Sequence, residues 1–312
     1  MNTLKVFCSG LFLLFDINNL SAQESGLDFR IKHNTDRSIS IEYVKSRPGR
    51  FTVLFQIKDL EGSSSESNLI LPVNAMAGTL VKFKPRDSKS YVTLGPYRYN
   101  IIRGGAIDQY NSDFTYLLPY DDGTKVQVID EKFDRTSQYS PSPESAAGSH
   151  FLTATEQNVT AVRKGQVVAV TKFGTMYQSQ KRIFRGQTDK LVIEHPDGTL
   201  AVYLGLNKDS IKVQLGQTVF PGTIIGTNSK TFSGQYGMSL IIYYLKEKPL
   251  EKLKEAHREY FLDIYGYVKP KYYTLERKAI QLESGQEYTS QSTPALIRQE
   301  LSKKEIKLLD QP

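Results

Sequence analysis

Residues 159–226 carry the strongest constraint on the fold. They read VTAVRKGQVVAV, LVIEHPDGTLAVYLGL and IKVQLGQTVFPGTIIG, with a polar interval between the first two. Apolar runs of four to eight residues are broken by Gly, Asp-Gly and Pro-Gly, and no long helix can be drawn through Gly165, Gly198, Gly205, Gly216, Gly222 and Gly226. The period of two in Val167 and Ala169, and in Ile211, Val213 and Leu215, predicts short antiparallel strands joined by tight turns. Asp197-Gly198 lies between two such runs and predicts a hairpin. The fold class expected is mainly β.

Upstream, seven strand-like runs fill residues 24–104: DFRIKHN, SISIEYV, FTVLFQIKDL, NLILPVN, TLVKFKP, YVTLG and YNIIRG. Their spacing predicts an immunoglobulin-like β-sandwich that presents or orients the β core. GGAIDQYNSD breaks the alternation near Gly104–Asp113 and marks a boundary. The Ser/Pro-rich stretch 134–149 and the polar stretch 227–239 read as loops, the first long enough to border a cleft. Leu250, Leu253, Phe261 and Ile264 predict an amphipathic helix from Pro249 to Tyr265, with His257 on its apolar side. VKPKYYTL and KAIQL predict a strand pair. Thr293-Pro294 predicts the start of a carboxyl-terminal helix.

The amino terminus sets a compartment. Lys5, the apolar stretch Val6–Phe15 and a Ser-Ala-Gln ending read as a secretory signal cleaved near residue 23. The apolar stretch is well short of the roughly 20 residues that span a bilayer, so the mature chain is expected to have no integral membrane segment. Cys8 is the only cysteine and falls inside the signal, which leaves no thiol chemistry and no disulfide. The net charge of +7 is scattered. With no basic–aromatic repeat or zinc-finger spacing, nucleic acid is not expected as a partner.

Chemistry-bearing residues are sparse. The four histidines are His33, His150, His195 and His257, and no HxH, HExxH or CxxC occurs. His33 lies in a polar turn and reads as a surface residue. Glu194-His195-Pro196-Asp197 is the most site-like cluster. Neighbouring strand residues face opposite ways, so Glu194 and His195 are not expected to share a cleft. Ser149-His150 places a hydroxyl beside an imidazole without an oriented third group.

VTAVRKGQVVAV, LVIEHPDGTLAVYLGL and VQLGQTVFPGTIIG, with a glycine-containing stretch before LIIYYL, resemble the β core of the lysostaphin/LytM-type zinc endopeptidases, most of which cut peptidoglycan cross-bridges. The resemblance covers residues 115–246 and leaves 247–312 as helix, strand pair and tail. It implies zinc held by a His-x-x-x-Asp pair and by the second His of a late His-x-His. The first His of that late pair and a His in a Tyr-x-His-Leu segment would assist catalysis. Those places fall on Ala146 and His150, on Ser239-Leu240-Ile241, and on Gly205 within Tyr203-Leu204-Gly205-Leu206. His195 corresponds to a structural histidine before the DGT turn.

With one imidazole left among these places, the resemblance implies an inactive relative that has no cofactor and no metal. The function expected is a secreted, non-catalytic envelope protein that binds or scaffolds a protein partner. It would sit in the periplasm or at the outer membrane of a two-membrane bacterium. Tyr139 and Tyr236 are the candidate binding rim. The alternatives are a peptidoglycan-binding module without hydrolase activity, and a hydrolase using a non-family site near His150.

Overall fold

A computed structural model describes residues 26–131, 148–172, 188–253 and 264–310. The signal segment, Tyr139, Ala146 and His257 lie outside them. Among the described residues no helix is long and apolar enough to cross a membrane.

Two antiparallel sheets form the amino-terminal region. One runs Leu27–His33, Ile39–Lys45, Ala77–Phe83; the other runs Asn68–Val73, Phe51–Ile57, Tyr97–Arg103. Strand alternation turns Ile39, Ile41 and Tyr43 of the first sheet toward Phe51, Val53, Phe55 and Ile57 of the second, in one buried cluster. Each large apolar side chain buried there contributes about 1.5–3 kcal/mol before ordering costs. Leu54 and Ile102 face away from that cluster. They pack instead with Leu245, Leu250 and Ile264 of the larger β region. The second sheet therefore has apolar layers on both faces.

The larger sheet has the order Thr218–Val219, Gly165–Lys172, Thr188–Glu194, Leu200–Asn207, Tyr236–Lys246, Gly148–Thr153, Lys125–Glu131, Glu287–Thr289. Its centre is Tyr236–Lys246. Met238, Leu240 and Ile242 enter the main core with Tyr203, Phe151 and Leu191, while Ile241 and Tyr243 join Val168, Val192, Leu200, Val202 and Leu204 on the opposite face. The Asp-Gly hairpin forms as expected: Glu194 pairs with Leu200, His195 N–H donates to the Thr199 carbonyl, and Gly198 takes φ +94°.

Several expectations change. Ile211–Leu215 is not a strand: Lys212 makes a single backbone hydrogen bond to Ile225, and Leu215 is exposed. The polar stretch 227–239 is largely a hairpin, Ser229–Lys230 pairing with Tyr236–Gly237, because the central strand extends further back than its apolar run. The boundary segment is also stitched into the sheet, Ala106–Ile107 running parallel to Leu245–Lys246.

The helix expected from Pro249 is present over Glu247–Leu253, but Tyr265 belongs to a strand, Tyr265–Tyr267, paired with Tyr243–Leu245. Lys271–Tyr273 pairs in parallel with Thr115–Leu117 and touches the KAIQL run through only the Tyr272–Ile280 bridge. The tail is two short helices in place of one. Thr293 caps Pro294–Ile297, and a second cap at Ser302 starts Lys303–Leu309. Ser302 and Glu305 exchange side-chain and backbone hydrogen bonds in a capping box, so the chain restarts at Ser302.

Candidate functional site

Of the residues expected at the family-site places, His150, Ser239 and Ile241 lie on one face of the large sheet. Strand register sets His150 opposite Ser239, with Nδ1 and the Ser239 hydroxyl 3.0 Å apart. Both residues are buried. Burial holds the His150 imidazole down at about pKa 4, neutral in ordinary buffers. Ile241, two residues along and on the same side, has no exposed surface. A Cβ added at Gly148 would come within 2.6 Å of Ile241 Cγ1, so the two strands close together where a side chain would otherwise sit. Gly205 takes φ +81° where the register between Leu200–Asn207 and Thr188–Glu194 shifts. A histidine in that backbone conformation would be strained.

These residues do not fit a catalytic zinc. The described places supply one imidazole, whose Nδ1 is already engaged, with a hydroxyl, an isoleucine and a glycine. Three protein donors around an open water position are what such an ion needs. Among the described residues no three His, Cys, Asp or Glu side chains converge. Ala146 stands outside the described residues. The hydroxyl that meets His150 is Ser239 and not its neighbour Ser149, because adjacent strand residues point to opposite faces. Tyr236 is half-buried with the Lys230 ammonium 5.9 Å from its ring centre.

Residues 144–249 match the model for Peptidase family M23. That segment is an M23 domain. Solved structures similar to the chain include a putative M23 peptidase of Pseudomonas aeruginosa, at 14% identity, 63% coverage of this chain and 83% of that one, with a TM-score of 0.25. A zinc-containing peptidase of Vibrio cholerae is 15% identical over 69% of this chain and 81% of its own, with a TM-score of 0.28. Helicobacter pylori Csd3 is 11% identical over 70% of this chain and 66% of its own, with a TM-score of 0.26. Comparison with curated proteins finds no match.

The cluster Glu194–Asp197 of the M23 domain is a joint. Glu194 accepts from the Arg50 backbone N–H at 2.8 Å and from its guanidinium Nε, tying in the amino-terminal sandwich. Arg103 donates to the Val168 carbonyl across the same boundary at 3.0 Å. Asp197 accepts from the Thr199 hydroxyl at 2.8 Å, which uses that hydroxyl's only proton. His195 Nδ1, 2.8 Å from the same oxygen, must therefore carry its own hydrogen, leaving Nε2 bare and buried with no partner among the described residues. Burial, then the charge of Arg163, holds that ring down at about pKa 3. Glu194 and His195 border one cleft of about 350 Å³ after all. The strand ends at Glu194, so strict alternation no longer applies at His195.

Arg163 is the residue that sequence reasoning passed over. It is 1% exposed, yet its guanidinium meets Asp197 at 2.8 Å, Tyr116 at 3.1 Å, both oxygens of Glu300, and the Phe114 ring at 3.9 Å. Lys164 bonds Glu305 at 2.8 Å. The only local signal is an Arg-Lys step inside an apolar run; the acidic partners in the tail lie more than 130 residues away.

Proposed function

We propose that this chain is a non-catalytic, secreted envelope protein that uses an M23 fold to bind or scaffold a protein partner. The observation that supports it best is the buried contact set at the family-site places. His150 is hydrogen-bonded to Ser239 under cover, and Ile241 fills the apolar layer beside it. Water activation by a metal needs a liganded ion with an open position, and this set provides neither. The joint formed by Arg50, Glu194, Arg163 and Glu300 supports a scaffold as well, since it ties sandwich, M23 domain and tail together.

A hydrolase built on His150 is disfavoured by the same geometry. The imidazole is buried and weakly basic, and its Nδ1 meets a hydroxyl where a general base would be oriented by a carboxylate. A peptidoglycan-binding role is the remaining alternative. Pull-down with intact sacculi and, separately, with envelope extract distinguishes the two. Specific retention of a protein from extract, with no sacculus binding, is the expected result. Sacculus binding alone would favour the peptidoglycan module, and peptide-bond cleavage by the purified chain would overturn the non-catalytic reading.

A further inference from the structure

A cleft of about 450 Å³ lies between the tail helices and the M23 domain, lined by none of the family-site residues. Its apolar walls include Phe220 and Pro221 on one side and Ile297 and Leu309 of the tail on the other. Neither tail helix has a buried residue, and the segment is held instead by Glu300 on Arg163 and Glu305 on Lys164. The cleft is thus walled by a segment anchored through charge pairs outside it.

Two features of the lining are unmatched. Asp121 accepts from Asn158 Nδ2 at 2.9 Å, and Asp122 accepts from the Ser292 hydroxyl at 2.8 Å and from Gln291 Nε2 at 3.4 Å. Neither carboxylate has a cationic partner among the described residues, although the chain carries a net +7. Thr160, also in the lining, is 1% exposed, and its hydroxyl has no hydrogen-bond partner among the described residues. A buried hydroxyl without a partner is costly, and a ligand that supplies one recovers that cost.

We propose that this cleft binds a primary ammonium group on an apolar stem of amino-acid size. The ammonium would sit by Asp121 and Asp122, within reach of polar acceptors in the lining, and the stem would lie between Phe220–Pro221 and Ile297–Leu309. The volume falls in the range of small-ligand sites, and a few placed polar groups in an apolar wall are what such sites use. The charged atoms select a cation; the walls select its stem.

The test titrates the full chain with n-pentylamine, with its neutral isostere n-pentanol, and with an Nα-acetyl-lysine amide, followed by calorimetry or NMR shifts. Pentylamine should bind saturably and more tightly than pentanol. Asp121→Asn with Asp122→Asn should weaken the amine about tenfold, in a salt-sensitive manner, and leave pentanol unchanged. Thr160→Val should weaken the amine to a smaller extent. Leu309→Trp, which fills the cleft from an exposed position, should abolish binding of both probes. Binding of the lysine derivative assigns the site to a peptide side chain, and its failure beside amine binding assigns it to a free amine. Equal affinity for amine and alcohol, amine binding unchanged in the double variant, or no saturable amine binding by the native chain would each overturn the proposal. Should the double variant not fold, the amine–alcohol comparison and Leu309→Trp decide the question.

Discussion

Arg163 and Glu300, 137 residues apart, form a bidentate ion pair in which the arginine is almost wholly buried. A guanidinium removed from water needs its hydrogen bonds made, and here Glu300, Asp197 and Tyr116 make them. The tail is fixed to the M23 domain by this pair and by Lys164 with Glu305.

Glu300→Gln should release the tail and destabilise the chain by about 1–3 kcal/mol, because Arg163 keeps only part of its compensation. Urea unfolding measures the loss. Hydrogen exchange should rise in residues 294–310 before it rises in the M23 domain. Unchanged exchange there would mean that the tail is held by something other than this pair.

The two buried histidines make stability depend on pH with a defined sign. Their folded pKa values, about 4 for His150 and about 3 for His195, lie below the ordinary value of about 6.5. Between these limits the unfolded chain binds more protons, so stability is complete above pH 6.5 and falls as the pH drops toward the folded values. From pH 6.5 to 5, His150 alone accounts for about 1.5 kcal/mol. Urea titrations of wild type and His150→Gln over this window should show a shallower slope in the variant. Parallel slopes would place the histidine in water.

Ile241→Ala should cost about 2–5 kcal/mol, since a fully buried side chain leaves a cavity between strands that cannot collapse onto Gly148. A change under about 1 kcal/mol would show that the face is open, as a working groove would require. Elemental analysis of the same wild-type preparation, made without chelator, should find well under one zinc per chain.

Tyr236 tests whether the rim takes part in binding. Its ring meets Lys230 at the turn end of the 229–237 hairpin, where truncation should leave the sheet intact. Tyr236→Ala combined with Tyr139→Ala should lower capture of the envelope partner several-fold, as loss of an aromatic anchor does. Undiminished capture with retained folding would move the interface off this rim.

The strands and their turns could be read from the sequence because they rest on local pattern. Alternation at Phe51–Ile57, the Asp-Gly turn at Asp197-Gly198 and the Thr293-Pro294 cap each act within a few residues. The spacing of the M23 run was legible for the same reason. Local pattern also misled where packing decided the outcome. Ile211–Leu215 alternates like a strand, but a single backbone hydrogen bond, from Lys212 to Ile225, ties it to its neighbour and no ladder forms. Tyr265 keeps a helical period with its neighbours, yet the open edge of Tyr243–Leu245 takes it as a strand. Tertiary structure alone decided that Glu194 faces Arg50, that Arg163 closes on Glu300, and that His150 meets Ser239 in place of Ser149. Those contacts join residues 89 to 144 positions apart. Their energy comes from burying charge and hydroxyl groups against matched partners, which no periodicity in the chain encodes.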